Sequence, residues 1–374
     1  MSWSDGHTRL DVRINGEITF ADDLSDVQSL SDGGSLTIRD WSSIIPRTIE
    51  IKSSGGTLTR KYYVAGVERP WSDEARQMLA THITTLVRNS GIGAESRVKS
   101  IYEKKGVAGV LAEVDLLGGD YARRRYLTLL VDTVRLDAAG VLPVLTRVSN
   151  DFKSDYDRRQ VLERVARRVT LDQRAASSYA HAVESMRSDY DRRQSLSALF
   201  AASGQSADAP SLFSAIDTMR SSYDKRQVLT DLIARPSVSM EMRQGMLRAA
   251  AGIQSDYDRS QLLVAYVEKF GVETPVVTPF FAAVNATRSP YDRRRVLMAV
   301  AKSSNLGRDV QHAAFDSIAT MSSDHDRAET LLAFIGSQPL DASTRAAFVA
   351  AADKIRSSHD QNRVLAALVR AERR

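Results

Sequence analysis

Residues 154–162 read SDYDRRQVL, and the phrase returns along the chain with its aromatic at Tyr121, Tyr156, Tyr190, Tyr223, Tyr257, Tyr291, His325 and His359. Successive gaps are 35, 34, 33, 34, 34, 34 and 34 residues. Eight copies at one period define a tandem repeat, each copy one supersecondary unit. Two places before the aromatic stand Ser154, Ser188, Ser221, Ser255, Ser289, Ser323 and Ser357, with Gly119 in the first copy. One place after it stand Asp157, Asp191, Asp224, Asp258, Asp292, Asp326 and Asp360. S-x-x-D at this spacing is a variant of the capping box. The Ser oxygen accepts from the N–H three residues on, and the Asp sits in the first turn, where the helix dipole favours negative charge. Pro290, directly after Ser289, falls at the first helical position, where proline is best tolerated.

Beyond the cap, apolar residues fall five, six, nine and ten places after the aromatic, as in Val228, Leu229, Leu232 and Ile233. That is the helical period. The sixth place is Leu127, Leu162, Leu196, Leu229, Leu263, Leu297, Leu331 and Leu365, leucine in every copy. Loops marked by Pro210, Pro236, Pro275, Gly307 and Pro339 introduce a second helix. Eight residues before the next aromatic this helix carries Val148, Ala182, Ala215, Ala249, Ala283, Ser317 and Ala351, mostly small, which lets two helices approach closely. A helical hairpin cannot bury both its stripes alone, so neighbours must stack into one core. The expected fold is mainly α, an α-solenoid of about eight 34-residue hairpins over residues 119–374, on the order of 70–80 Å long at 8–10 Å per layer.

Residues 1–71 differ in kind. They hold all three tryptophans, Trp3, Trp41 and Trp71, and read as about six short antiparallel strands. Leu10, Val12 and Ile14 alternate with polar residues, Asn15-Gly16 is a strong hairpin signal, and Gly33-Gly34 and Gly55-Gly56 mark further turns. Residues 72–118 read as helices opening at Ser72 and broken near Gly91, Gly93 and Gly106, forming a cap on the first repeat.

Of the 374 residues, 43% are apolar and 26% charged, as in folded water-soluble chains. No apolar run is long enough for a membrane span, so no membrane insertion is expected, and MSWSDGHTRL is no secretory signal. The chain reads as cytoplasmic as written, or as a soluble piece of a larger secreted or membrane-tethered protein. Without cysteine there is no disulfide, thiolate metal site or Cys nucleophile. Residues 1–71 carry 8 Lys/Arg against 10 Asp/Glu, and the remainder 43 against 36, a mild basic surplus. A dedicated nucleic-acid binder would cluster its basic charge more strongly.

The Asp-x-Asp pairs, such as Asp155 with Asp157, lack the glycine and distal acid of a calcium loop, since Gln160 and Ala166 stand there. No metal site is expected. The basic column Arg123, Arg158, Arg192, Lys225, Arg259, Arg293 and Arg327 lies on the stripe of the buried leucine. Its expected role is a structural ladder in which Arg158, Arg192, Arg259 and Arg293 pair with capping carboxylates such as Asp157, Asp191, Asp258 and Asp292 of their own or the adjacent unit. The other reading is a row of phosphate hooks. His7, His82, His181 and His312 are isolated, His325 and His359 replace the column tyrosine, and no HExxH, GxSxG or phosphate-loop pattern occurs. No catalytic residue and no cofactor is expected.

With these columns in place, the chain resembles HEAT-type repeats, whose stacked hairpins also carry an Asp and a basic residue in ladder-like columns. The unit length equals that of tetratricopeptide repeats, but the Trp and Leu-Gly of that signature are missing. The S-D-Y-D-x-R-x-V-L unit and the preceding β-rich segment look more closely like those of uncharacterised bacterial proteins, some of which carry such repeats beside membrane metallopeptidase or sensor domains. The resemblance implies a fold. The expected function is a non-enzymatic scaffold that binds a protein or peptide partner along the solenoid surface, with nucleic-acid binding as the alternative. Seven places after the aromatic the column runs Thr128, Glu163, Ser197, Thr230, Val264, Met298, Leu332 and Ala366, turning from polar to apolar. Either Val264, Met298 and Leu332, flanked by Gln261 and Arg295, line a partner groove, or tighter coiling buries them.

Overall fold

A computed structural model of the chain describes residues 2–4, 9–41, 45–202, 208–304 and 306–372; His7 lies outside them. The chain forms two compact units, Met1–Val169 and Thr170–Arg374.

The first unit opens with strands β1 (Ser2–Ser4), β2 (Arg9–Asn15), β3 (Ile18–Phe20), β4 (Val27–Leu30), β5 (Ser35–Asp40), β6 (Arg47–Ser54), β7 (Thr57–Val64) and β8 (Val67–Arg69). Six form an antiparallel sheet in the order β1-β2-β5-β6-β7-β8, and β3 pairs with β4 separately. The alternation fixes the register. Leu36 lies opposite Ile51 and Ile38 opposite Ile49, so one face of the sheet is aliphatic. Gly55 and Gly56, both at positive φ, make the two-residue hairpin between β6 and β7.

Asn15-Gly16 does not make the expected hairpin. β2 pairs with β1 and β5, and the chain after Gly16 leaves for the small sheet. Gly16 is needed there because a Cβ would sit 2.2 Å from Ser31 Oγ, and the same Oγ accepts from Glu17 N at 3.1 Å. The count of about six strands falls short for a related reason: β1 and β8 are three-residue edges with no alternation to read.

Helix α1 (Asp73–Ser90) covers the sheet with Ala75, Met78, Leu79, Ile83, Leu86 and Val87. It ends at Gly91 in the left-handed conformation. In α2 (Ala94–Val114) the backbone breaks at Gly106, φ 63°, so the helix is kinked where the glycine stands. The unit closes with α3 (Asp120–Thr133), α4 (Ala138–Asp151) and α5 (Asp155–Arg168), with α3 packed on α5.

The second unit contains α6 (Gln173–Glu184), α7 (Asp189–Ala201), α8 (Ala209–Asp217), α9 (Ser222–Ile233), α10 (Met240–Ala251), α11 (Asp256–Phe270), α12 (Val277–Ala286), α13 (Pro290–Lys302), α14 (Arg308–Ala319), α15 (Asp324–Ser337), α16 (Ala342–Ala352) and α17 (Ser358–Glu372). The odd-numbered A helices stack successively on one another, and the even-numbered B helices do likewise. This two-layer stack is an α-solenoid. Ser188, Ser221, Ser255, Ser289 and Ser323 cap the A helices, each oxygen accepting from the N–H of the Asp three places on. Leu196, Leu229, Leu263, Leu297 and Leu331 are fully buried between layers. The small column lets the B layer close tightly, and Gly245 on α10 lies so near Phe213 that a Cβ would be 2.1 Å from its ring.

Candidate interaction face

Two adjacent columns of basic residues lead to two different environments. The first stands two places after the aromatic. Arg158 in the first unit, and Arg192, Lys225, Arg259, Arg293 and Arg327 in the second, are all buried, with 4–8% exposure. The arginines among them donate to carbonyls left open at the C-terminus of the preceding B helix. Arg158 Nε reaches Val148 O at 3.0 Å and Nη2 reaches Phe152 O at 2.5 Å. Arg259 donates to Ile253 O and to Ala250 O, and Arg327 to Met321 O.

The carboxylate partner of this column differs from the expected one. Arg158, Arg192, Arg259 and Arg327 pair with Asp155, Asp189, Asp256 and Asp324, one place before the aromatic, at 3.0, 2.7, 2.8 and 2.6 Å. At a separation of three residues the two share one side of the first turn, which the Asp after the aromatic does not. In the second unit the second oxygen of Asp189, Asp256 and Asp324 crosses to the next repeat. Asp189 Oδ2 accepts from Arg220 N at 2.7 Å and Ser221 N at 2.6 Å, and Asp256 Oδ2 from Arg288 N at 3.1 Å and Ser289 N at 2.8 Å. Burial raises the Asp189 pKa, but those two N–H groups and the Arg192 guanidinium outweigh it and hold the carboxyl below its usual range.

Three A helices depart from the pattern, α17 by carrying Ser358 and Gln361 in place of the pair. On α9 the pair is Ser222 and Lys225, and burial pushes the Lys225 ammonium down. On α13 Pro290 replaces the Asp, so Arg293 turns to Thr287 O, Asn285 O and Thr320 Oγ1.

The expected Asp column serves a second row of arginines, three places after the aromatic. Arg124 reaches Asp157 at 2.6 Å, Arg193 reaches Asp224 at 2.7 Å, Arg226 reaches Asp258 at 2.7 Å and Arg294 reaches Asp326 at 2.8 Å, each in the next repeat. Where Ser260 replaces the arginine, its hydroxyl donates to Asp292 at 3.2 Å, and Arg295 stands 3.7 Å from the same carboxylate. Asp191 occupies the equivalent place on α7, its N–H donated to Ser188.

This second row lies on rings. The column tyrosines are 50–58% exposed: Tyr121 and Tyr156 in the first unit, Tyr190, Tyr223, Tyr257 and Tyr291 in the second. The Arg193 guanidinium lies 5.2 Å from the Tyr190 centroid, Arg226 5.3 Å from Tyr223 and Arg294 5.2 Å from Tyr291, within cation–π range. Sequence reading used these tyrosines only to set the register. The missed signal is that the ring recurs off the apolar stripe, where a large side chain has no core to enter.

Four and seven places after the aromatic, the same face of the A helices continues. Gln261, Val264, Arg295 and Met298 come together on α11 and α13. With the Gln261 amide turned to match its donors, its oxygen accepts from Arg295 at 2.7 and 3.1 Å. Val264, Arg295 and Met298 line a groove of about 640 Å³ with Val267, Ala299 and Lys302. Leu332 does not join them. It lines a second groove of about 870 Å³ between α15 and α17, with Ile335, Leu340 and Leu368. Val264, Met298 and Leu332 are half-buried, so coiling does not bury them, and they form the walls of grooves open to solvent.

Among the described residues, no three His, Asp or Glu side chains are placed to hold a metal ion, and no helix is long and apolar enough to cross a membrane. No protein-family model, curated protein or solved structure matches the chain.

Proposed function

We propose that the chain is a non-enzymatic, HEAT-like interaction scaffold whose A-helix face binds a protein or peptide partner. The observation that carries this reading is the recurrence of a half-exposed tyrosine on successive stacked helices, braced by an arginine of its own helix on α7, α9 and α13 and by Arg295 of the next repeat, 6.0 Å away, on α11. Tyr and Arg are the residues most enriched at binding hot spots, because each presents a large, stiff surface with polar atoms at its rim. The grooves beside Met298 and Leu332 add apolar area to the same face. The nucleic-acid alternative has less support: the guanidinium column beneath is buried against carbonyls and carboxylates, and the half-buried second row is already paired with Asp224, Asp258 and Asp326.

The test is a photocrosslinking phenylalanine analogue placed at Tyr257, with a second variant carrying it at His181 on a B helix. The expected result in the source cells is a polypeptide adduct at position 257 and none at 181. Nucleic-acid adducts at 257 would favour the alternative, and adducts at 181 alone would overturn the assignment of the face.

A further inference from the structure

Tyr190, Tyr223, Tyr257 and Tyr291 stand on four consecutive A helices, α7, α9, α11 and α13. Arg193 is 5.2 Å from the Tyr190 centroid and 6.0 Å from that of Tyr223, so those rings are at most about 11 Å apart, the two distances laid end to end. Packed helices are separated by roughly 8–10 Å, which gives the track the same period. We propose that this track docks a proline-rich segment in the polyproline II conformation, one proline ring per tyrosine. The proposal rests on the reading of the A-helix face as the partner surface.

Three features select this ligand. The first is step length. Polyproline II rises about 3.1 Å per residue with three residues per turn, so every third side chain returns to one face after about 9.3 Å. A β-strand returns after about 6.7 Å and loses step by the second tyrosine. An α-helix returns after two turns, about 10.8 Å, and keeps step. Such a helix needs an apolar floor along its whole length, however; Val264 and Met298 supply one only beside Tyr257 and Tyr291, while beside Tyr190 and Tyr223 the track offers Gln194 and Gln227 four places after the aromatic and Ser197 and Thr230 seven places after it.

The second feature is hydrogen bonding. A polyproline II backbone makes no internal hydrogen bonds, and its carbonyls must find donors. Each repeat supplies a tyrosine hydroxyl, and three of the four add a glutamine amide. The third is charge. Arg193 and Arg226 are neutralised in place by Asp224 and Asp258, so the track presents rings and amides with little net charge, complementary to an uncharged segment. Beyond Tyr291 the aromatic becomes His325 and His359, so the row of tyrosines ends there. The track therefore takes about ten residues, three intervals of three and one more.

The experiment measures fluorescence anisotropy of a fluorescein-labelled peptide of four Pro-Pro-Ala triplets titrated with the full chain. The controls are three Pro-Pro-Ala-Ala quartets and six Gly-Ser pairs of equal length. The triplet peptide should bind saturably, at least about tenfold more tightly than either control, with little dependence on salt. Tyr223→Ala with Tyr257→Ala should weaken it about tenfold or more, and the paired Tyr→Phe changes by a smaller factor. Hydrogen exchange of the unmodified chain gives a readout independent of the variants: added triplet peptide should protect the first turns of α9 and α11. Equal affinity for triplets and quartets, affinity unmoved by the tyrosine changes, or protection confined elsewhere would each overturn the proposal. So would tighter, steeply salt-dependent binding of a labelled oligothymidylate, the signature of base stacking beside phosphate contacts. A polypeptide adduct at position 257 together with failure of the triplet peptide would leave the face standing and remove only the polyproline class.

Discussion

On α7, Arg192 and Arg193 follow one another in sequence and end in two different regions. Arg192 is 7% exposed in the seam between repeats, donating to Met186 O and paired with Asp189. Arg193 lies on the outer face, over the Tyr190 ring, and reaches Asp224 in the next repeat. One step around a helix separates a side chain that closes the fold from one that shapes its surface. The difference lies in what each removal leaves behind. Without the seam arginine, helix-end carbonyls are stranded in a buried layer as well as a carboxylate losing a donor. Without the face arginine, only one partly buried carboxylate loses a donor.

The largest effect should come from the core that both regions stand on. Leu229 is fully buried on α9, and Leu229→Ala should cost about 2–5 kcal/mol in urea unfolding. An unchanged midpoint would mean that the layers are not packed as described. A smaller effect, of opposite sign, should come from the irregular joint on α9. Ser222→Asp together with Lys225→Arg installs the seam pair that α7, α11 and α15 carry, and should stabilise the fold by about 0.5–1.5 kcal/mol. If it destabilises, the seam pair is not what joins those repeats.

The smallest effects separate the sheet from the repeats by pH. His82 Nε2 lies 3.1 Å from Asp40 Oδ2 at the sheet–α1 contact, and burial lowers its pKa from 6.5 although Asp40 pulls the other way. A lowered base pKa means that the folded state binds fewer protons, so this stability is present above pH 6.5 and is lost as pH falls below it. Asp189 is likewise lowered, from 3.8, and its contribution is lost only as pH falls below that value. All three tryptophans lie in residues 1–71, so their fluorescence reports the sheet unit and far-ultraviolet ellipticity mainly the helices. On acidification the urea midpoint by fluorescence should decline first. His82→Gln should flatten that decline, and Asp189→Asn the later one by ellipticity.

Much of the helical fold was legible because its signals are local. A serine three places before an N–H it can cap, a leucine at one phase of every copy and a small residue at another need no tertiary knowledge. The sheet was read less well, since Asn15-Gly16 signals a turn but not which strand the chain joins afterwards. For the face, Gln261, Val264, Arg295 and Met298 were nameable from periodicity, and the structure brings them together. Leu332 was placed with them because one column looks continuous in sequence, while the structure gives it a groove two helices further on. The three-residue spacing of Asp155 and Arg158 carried their pairing, but that the Asp after the aromatic serves an arginine of the preceding repeat could not be read until the repeats are stacked. The tyrosines were hidden by their own regularity: a residue that marks the period does not announce that its ring faces solvent.

The division between seam and face is tested most directly by comparing Arg259→Ala with Arg226→Ala in urea unfolding. Arg259, 4% exposed and bonded to Ile253 O, Ala250 O and Asp256, should lose about 1–3 kcal/mol on truncation. Arg226, on the Tyr223 ring and bonded to the partly buried Asp258 but to no helix-end carbonyl, should lose less, about 0.5–1.5 kcal/mol. A silent Arg259→Ala, or an Arg226→Ala that destabilises as much, would contradict the assignment of the two columns.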